Sequence, residues 1–204
     1  FRLIYPNIYQ NNHKFSRILV QLYEDGYICW INLDGLIIEK HELIKTKNLE
    51  NEHSFIKDKV PSILKWIKDQ AELNNEYLWG GTIGPNFDCS GLIQTAFFKH
   101  DINLPRDSYQ IKSFCKHLFY LKKFNIKLQP GDLLFFGNNK QCDHIGIYKG
   151  NGLYYHSSGK EFGRNGIGLD TLKDTNDKIS LHYQSKLISA GRVIREYLWN
   201  RTIR

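Results

Sequence analysis

The sequence predicts an α+β protein, and three observations along the chain support that class. β-rich runs occupy residues 17–33, amphipathic helical patterns follow between 60 and 97, and short apolar runs separated by turns continue from residue 129. Helices that are followed in the chain by an antiparallel sheet are typical of the α+β class. A length of 204 residues allows one or two domains.

The β-rich beginning of the chain is predicted to form a small domain. Residues 17–23 and 26–33 have the composition of strands, and the Asp25-Gly26 pair between them is typical of a hairpin turn. Because two or three strands alone are marginally stable in water, we expect this part to be incomplete or to pack on other structure. The composition then shifts to charged and polar residues over 39–59, where we expect a domain boundary.

Two helices are predicted after this boundary. Pro61 suits a first helical turn, and apolar residues follow it at helical spacing as far as Ala71. A second helix is expected to begin near Cys89, with Asp88 as a cap for its free amides. The stripe that this helix buries is predicted to consist of Leu92, Ile93, Ala96 and Phe97.

The last third of the chain is predicted to form an antiparallel sheet. LLFFG at 133–137 reads as a short buried strand after a turn. HIGIY at 144–148 and GLYYH at 152–156 flank a turn rich in Gly and Asn, which suits a hairpin that needs positive φ. GRVIREY at 191–197 is predicted to be a closing strand.

The composition excludes several classes of protein. With 41% hydrophobic and 24% charged residues, the chain is too apolar for an intrinsically disordered protein. No apolar run reaches the ~20 residues of a transmembrane helix, so we expect no membrane span. The net charge is +7, but the 28 basic residues are dispersed, so we expect no nucleic-acid partner.

The chain contains no methionine, so we expect Phe1 to lie downstream of the biological start. A signal peptide could have been removed together with that start. The sequence therefore leaves the compartment open between the cytoplasm and the cell wall.

Cys89 is the strongest candidate for a reactive group, because it lies where a glycine-rich turn enters a helix. At a helix N-terminus the macrodipole favours an anion, which predicts a lowered thiol pKa. The same amides could bind an oxyanion formed at an attacked carbonyl. The other cysteines form no C-x-x-C pair and are expected to be structural. They are Cys29, Cys115 and Cys142.

A thiol nucleophile needs a base, and two histidines are placed to supply one. His144 and His156 lie six residues on either side of Gly150, so a tight hairpin would bring them within a rung or two of each other. One imidazole could accept the thiol proton while the other fixes its tautomer. A zinc site made of Cys142, His144 and His156 competes with this interpretation, but it has no obvious fourth ligand and leaves the position of Cys89 unexplained.

Five blocks of sequence together resemble the NlpC/p60 family of cell-wall cysteine peptidases, in that family's order and over roughly residues 60–200. The blocks are YLWGGTIGPNFDCSGL (77–92), LPRDSYQ (104–110), QPGDLLFFG (129–137), DHIGIYKGNGLYYHSSG (143–159) and AGRVIREY (190–197). Single blocks would be weak signals, and five in register are a strong one.

Two further stretches are similar to cyanobacterial members of the family, which carry a bacterial SH3-like domain before the peptidase domain. These stretches are residues 156–170 and EDGYICWINLDG at 24–35, which resembles the end of such a barrel. The resemblance implies a papain-like α+β catalytic domain over 57–204. A small, truncated, all-β SH3-like domain and a charged linker are implied over 1–56.

The resemblance also implies roles for individual residues. Cys89 matches the family's nucleophile, His144 its general base and His156 the orienting third member. The substrate-binding residues that the resemblance implies are Tyr77, Asp88, Ser90, Arg106, Ser108 and Tyr27, the last accompanied by Glu24 or Asp25. Asp88 could equally be a helix cap, and Tyr77 a packing aromatic beside Trp79.

The implied function is hydrolysis of the bond between γ-D-glutamate and a diamino acid in peptidoglycan stem peptides. No metal or organic cofactor is implied, because thiolate attack, an acyl-enzyme and water suffice. The SH3-like segment implies a preference for peptides with a free N-terminal L-Ala, and hence recycling or turnover of murein peptides. A thiol amidase or acyltransferase on the same fold and a non-catalytic wall-binding protein remain alternatives. The diamino acid, diaminopimelate or lysine, and the oligomeric state are left open.

Overall fold

A computed structural model of the chain describes residues 2–3, 17–22, 27–32, 52–120, 127–138, 141–161 and 163–197. The chain contacts fall into two compact units, residues 1–50 and residues 51–204. The domain limits drawn from the sequence, at residues 56 and 57, stay a prediction. Within the described ranges, no helix combines the length and the apolar character that a bilayer crossing requires.

The first unit contains a three-stranded antiparallel sheet in the order β1-β2-β3. Its strands are β1 (Arg2–Leu3), β2 (Arg17–Gln21) and β3 (Ile28–Asn32). Beyond the ladder, the Leu22 amide donates to the Tyr27 carbonyl at 2.8 Å, so β2 and β3 form the predicted hairpin. The Asp25-Gly26 turn itself lies outside the described residues.

The described residues of the second unit include four helices. They are α1 (Glu52–Ala71), α2 (Cys89–Phe98), α3 (Ser108–Phe114) and α4 (Lys178–Lys186). The predicted start of α1 at Pro61 is wrong, because the helix begins at Glu52 and contains the proline. A proline inside a helix costs about 3 kcal/mol. Burial of Ile56, Ile63 and Ile67 along one stripe, at about 1.5–3 kcal/mol each, exceeds that cost.

The sheet of the second unit has six strands in the order β4-β9-β5-β6-β7-β8, and every adjacent pair is antiparallel. The strands are β4 (Lys116–Tyr120), β5 (Leu133–Asn138), β6 (Gln141–Gly150), β7 (Leu153–Ser158), β8 (Gly166–Thr171) and β9 (Leu187–Arg192). The predicted closing strand at 191–197 shares only its first two residues with β9. Pairing on both sides, to β4 and β5, places the buried segment 187–190 in the sheet instead.

The hairpin between β6 and β7 is the element that brings the two candidate histidines together. Its turn has positive φ at Gly150, Asn151 and Gly152 (118°, 56° and 83°), as the composition predicts. Ile147 pairs with Tyr155 beyond the turn.

Two hydrophobic clusters cover the sheet. One cluster joins α1 and α2 to strand residues such as Phe135 and Ile145. The other gathers Tyr183 of α4 with Phe136 and Tyr154. The predicted buried stripe of α2 is confirmed, since Leu92, Ile93, Ala96 and Phe97 are all fully buried. Helix α2 is therefore held by packing along most of its length.

We predict that Gly91→Ala destabilises the protein, although alanine is the better helix former. A Cβ at Gly91 would lie 2.0 Å from the carbonyl oxygen of Gly81, a backbone atom that cannot move away cheaply. We expect the free energy of unfolding, measured by urea denaturation, to fall by about 2 kcal/mol. Gly159→Ala is the matched control, because its Cβ would meet only the Tyr77 ring at 3.8 Å. Equal stability of the two variants would contradict the packing described for α2.

Candidate active site

The start of α2 is organised by the carboxylate of Asp88. Asp88 is the N-cap, and its Oδ1 accepts a hydrogen bond from the Gly91 amide at 2.6 Å. Its Oδ2 accepts from the Gly80 amide at 2.8 Å, and the Asp88 amide donates to the Gly81 carbonyl. The predicted capping role is therefore present, and it ties the glycine-rich loop to the first turn of the helix.

A buried ion pair completes this arrangement. Arg106 donates to both carboxylate oxygens of Asp88 and, from Nη1, to Ser90 Oγ at 2.9 Å. All three side chains are buried, so the carboxylate has its counter-charge within the protein. The structure thus joins three predicted substrate-binding residues in one cluster, and their contact with substrate stays a prediction.

The Cys89 thiol lies in a confined position at the beginning of α2. The side chain is 7% exposed, and the sulfur accepts hydrogen bonds from the backbone of Ile145 and Ser90. Burial, with a smaller contribution from the Asp88 carboxylate, raises the pKa of Cys89 to about 12. The predicted lowering of the thiol pKa is therefore wrong for this state, because desolvation of a thiolate outweighs the helix N-terminus.

The two candidate histidines are in direct contact, as the hairpin spacing predicts. His144 Nε2 and His156 Nδ1 are 2.7 Å apart. Because Ile145, whose backbone bonds the Cys89 sulfur, directly follows His144, the thiol lies next to the part of β6 that carries His144.

Both imidazoles are buried enough to favour their neutral forms. Burial lowers the pKa of His144 well below 6.5, and His156 and Lys186 act in the same direction. Burial also lowers the pKa of His156, although Asp170 opposes the shift. At neutral pH the site therefore contains a protonated thiol beside neutral imidazoles.

Asp170 is a further member of the cluster, and the sequence by itself assigned no role to this residue. It lies on β8, where its Oδ2 is 2.8 Å from His156 Nε2. Burial raises the pKa of Asp170, but the hydrogen bonds from His156 and Arg164 together lower it by more than burial raises it. The net shift of this pKa is therefore downward. A long-range strand pairing places it here, since β8 pairs with β7 along its full length.

Tyr183 is the second residue that the sequence did not single out. Its ring stacks on His144 with centroids 4.6 Å apart and meets His156 edge-on at 4.6 Å. A hydrogen bond with Ser158 anchors its hydroxyl group. The available signal was the helical pattern of 178–186, in which Asp177 caps α4 and Tyr183 faces the sheet.

The other predicted site residues lie at varied positions. Tyr77 is half-buried beside the site, and burial together with the Cys89 and Asp88 charges raises its pKa. Ser108 begins α3, where its hydroxyl donates to the Cys142 carbonyl at 3.5 Å. Tyr27 belongs to the first unit and is 39% exposed, whereas Glu24 lies outside the described residues.

The zinc interpretation has no support in the geometry. Across the residues that the structure describes, no three His, Cys, Asp or Glu side chains are grouped so as to hold a metal ion. The Cys142 thiol instead donates to the backbone carbonyl of His144 at 3.5 Å.

The fold and the site together define a class of protein: an α+β domain with a thiol at a helix N-terminus beside a hydrogen-bonded histidine pair. The sequence profile of the NlpC/P60 family matches residues 74–187, which is more than half of the chain. The chain belongs to the NlpC/P60 family. The predicted NlpC/p60 peptidase domain and its papain-like fold are thereby confirmed.

Curated relatives agree with this assignment. Over 121 residues the chain is 36% identical to the bifunctional muramidase/DL-endopeptidase CwlT of Bacillus subtilis (strain 168), covering 57% of this chain and 32% of that protein. It is 34% identical over 124 residues to the probable endopeptidase p60 of Listeria seeligeri, with coverages of 61% and 21%. It is 31% identical over 124 residues to dipeptidyl-peptidase 6 of Lysinibacillus sphaericus, with coverages of 60% and 39%. The matched region spans less than half the length of each relative.

Solved structures share the fold. An NlpC/P60 family protein from Bacillus cereus ATCC 10987 matches with a TM-score of 0.54 at 24% identity, covering 90% of this chain and 52% of that one. The peptidoglycan hydrolase RipB of Mycobacterium tuberculosis matches with a TM-score of 0.50 at 19% identity, with coverages of 76% and 75%.

The raised thiol pKa predicts how Cys89 reacts with iodoacetamide. Only the thiolate is alkylated, so the rate constant should increase continuously from about pH 7 to about pH 10, by up to about tenfold per pH unit. Mass spectrometry of the Cys89 peptide measures this rate, and buried Cys115 serves as an internal reference. A plateau below about pH 8 would show that the resting site holds a thiolate instead.

Proposed function

We propose that this protein is a cysteine endopeptidase that hydrolyses the γ-D-glutamyl–diamino acid bond of peptidoglycan stem peptides. The observation that carries the proposal is the position of the Cys89 thiol, at the start of α2 and against the part of β6 where His144 contacts His156 of β7. The names of the relatives support the reaction class, since CwlT is a DL-endopeptidase and the Listeria protein is a probable endopeptidase.

The chemistry follows from the neutral resting pair. His144 takes the proton of the Cys89 thiol as the sulfur attacks the carbonyl carbon of the γ-D-glutamyl amide. The C–N bond then breaks, the imidazolium gives its proton to the departing amine of the diamino acid, and a thioester remains on Cys89. Water, deprotonated by His144, attacks the thioester and releases the γ-carboxylate and the free thiol.

This order of events explains why a thiol with a raised pKa suits the site. A neutral thiol–imidazole pair stores no charge in a poorly solvated pocket before substrate arrives. Charge develops only as the bond to carbon forms, when the His156 ring that contacts His144 can share the developing positive charge.

The residues around the thiol are assigned to substrate contact on the basis of the family likeness. Tyr77 has the clearest structural support, because its hydroxyl is electrostatically coupled to Cys89. Asp88, Ser90 and Arg106 form one buried hydrogen-bonded cluster at the start of α2. Ser108 is a buried residue at the start of α3.

We further propose that the preferred substrates carry a free N-terminal L-Ala. The similarity of residues 24–35 to an SH3-like domain of cyanobacterial members supports this preference, with Tyr27 and an adjacent acid, Glu24 or Asp25, as the residues assigned to the amine. Cleavage after γ-D-glutamate would release an N-terminal dipeptide, and the Lysinibacillus relative is named a dipeptidyl-peptidase. Such a preference fits recycling or turnover of murein peptides.

The decisive experiment compares two peptides by mass spectrometry: L-Ala-γ-D-Glu-diaminopimelate and the same peptide with an acetylated amine. We expect release of diaminopimelate from the free-amine peptide only, and no release by Cys89→Ala. A lysine-containing pair of peptides identifies the diamino acid that is accepted. Equal cleavage of free and acetylated peptides would remove the amine preference, and folded, reduced protein that cuts none of them would contradict the endopeptidase proposal.

Replacement of His144, the proposed base, should strongly decrease turnover without unfolding the protein. We expect His144→Ala to lower kcat by about 10²–10⁴-fold, because general base catalysis contributes that much. His100→Ala is the matched control, since the His100 ring hydrogen-bonds the Ala96 carbonyl through Nδ1, in the turn at the opposite end of α2 from Cys89. A His144→Ala enzyme that retains the activity of the control would exclude His144 as the base.

A further inference from the structure

Asp170 extends the hydrogen-bonded histidine pair by a carboxylate that a Cys–His–His site does not require. Its carboxylate is buried, and each oxygen has its own partner. Oδ2 lies 2.8 Å from His156 Nε2, while Oδ1 accepts a hydrogen bond from Arg164 Nε at 2.9 Å and a second one from Arg164 Nη2. The hydrogen-bonded chain from His144 through His156 therefore ends on a carboxylate that is held by a cation.

We infer that Asp170 is a positioning residue that sets the tautomers of both histidines, and that Arg164 fixes the orientation of its carboxylate. The inference rests on the proposed cysteine chemistry, because it concerns the nitrogen of His144 that is left to receive the thiol proton. Asp170 acts through His156 and contacts neither the thiol nor, in this scheme, the substrate.

The tautomers follow from donor and acceptor roles along the chain. An ionised carboxylate only accepts, so His156 must carry its proton on Nε2. The Nδ1 of a neutral His156 is then an acceptor, and the contact at 2.7 Å requires His144 Nε2 to be the donor. His144 Nδ1 is left without a proton, which is the form that a general base needs.

Arg164 is placed to keep this arrangement rigid. Its backbone amide donates to Ser158 Oγ at 2.8 Å, and its Nη2 also pairs with Asp177. Asp177 caps α4, the helix that carries Tyr183 onto both imidazole rings. Arg164 therefore connects β8 and α4 through its guanidinium, and the end of β7 through its backbone amide.

Gly168 gives the arginine the room it needs to reach Asp170. Gly168 is the β8 partner of His156, and a Cβ there would lie 2.3 Å from Arg164 Cγ. The bare backbone at this position lets the arginine side chain cross the strand beside the histidine. This account joins the Gly, Arg and Asp of the GRNGIGLD segment in one function.

The Asp170→Asn variant tests the inference, because it should move the protons of both histidines in a defined direction. In the variant the amide oxygen is the only acceptor, and the two Arg164 donors hold it, so the amide NH₂ turns to His156 Nε2. His156 must then protonate on Nδ1 and donate to His144, whose proton moves to Nδ1. The thiol thereby loses its base although volume and contacts are conserved.

Two readouts follow the tautomers and the turnover. Long-range ¹H–¹⁵N spectra of histidine-labelled protein should show wild-type His156 and His144 protonated on Nε2, and both protonated on Nδ1 in Asp170→Asn. The kcat on the stem peptide should fall by about 10²–10⁴-fold, because His144 no longer presents an acceptor to the thiol. Asp132→Asn is the matched control, because Asp132 is an equally buried carboxylate paired with Arg192 away from the histidines. It should leave the spectra of the two histidines unchanged.

A double variant separates a positioning role of Asp170 from a purely structural role. In Asp170→Asn/Arg164→Gln the arginine no longer holds the amide oxygen, so the amide can turn and accept from His156 Nε2. We expect the wild-type tautomers to return and kcat to recover at least about tenfold, whereas a structural role predicts further loss.

The outcomes are distinct for each claim. Wild-type His156 protonated on Nδ1 would overturn the inference without any variant, even if Asp170→Asn fails to fold. Unchanged tautomers in a folded Asp170→Asn would also overturn it. A tautomer switch in protein that cuts no stem peptide would support the inference and reject the proposed substrate, because the spectra need no peptide.

Discussion

The bond network around the Asp88 carboxylate is the constraint on which the rest of the site depends. The carboxylate accepts hydrogen bonds from the loop at Gly80, from the first turn of α2 at Gly91 and from Arg106. Removing one partner of such a buried ion pair costs about 3–5 kcal/mol, because the remaining charge is left unpaired. The same network sets where α2 begins, and so places Cys89 against the backbone of β6. Catalytic geometry and local stability are therefore properties of one cluster.

Burial shifts the pKa values of the proposed nucleophile and of its proposed base in opposite directions. It raises the pKa of the Cys89 thiol and lowers that of His144, so both groups are neutral at rest. An ion pair would need solvation that the pocket does not provide. In the proposed reaction, the hydrogen-bonded line from His144 to Asp170 is consequently the route by which charge is stabilised once the thiol gives up its proton. Tyr183, stacked on one ring and edge-on to the other, keeps the two imidazoles in the planes that this line requires.

Local signals in the sequence were sufficient for much of the fold and for the reacting groups. The cap at Asp88, the stripe of α2 and the hairpin around Gly150 depend on neighbours within about one helical turn or a few strand positions. The contact of His144 with His156 follows from that hairpin alone. Where a distant interaction competed, the sequence pattern misled. Pro61 reads as a helix start, yet burial of Ile56 extends α1 through it, and a cysteine at a helix N-terminus reads as a thiolate until its burial is known.

By itself, then, the sequence determined the family, the α+β order of elements and the identity of the thiol and histidines, because each is written in contiguous blocks. Only the tertiary structure decided the protonation state of the thiol and the membership of Asp170, Arg164 and Tyr183 in the site. Those depend on the pairing of β7 with β8, the docking of α4 on the sheet and the exclusion of water from the space between them. Desolvation and long-range contacts are sums over many residues that are distant in the chain, and no short segment of the sequence carries them.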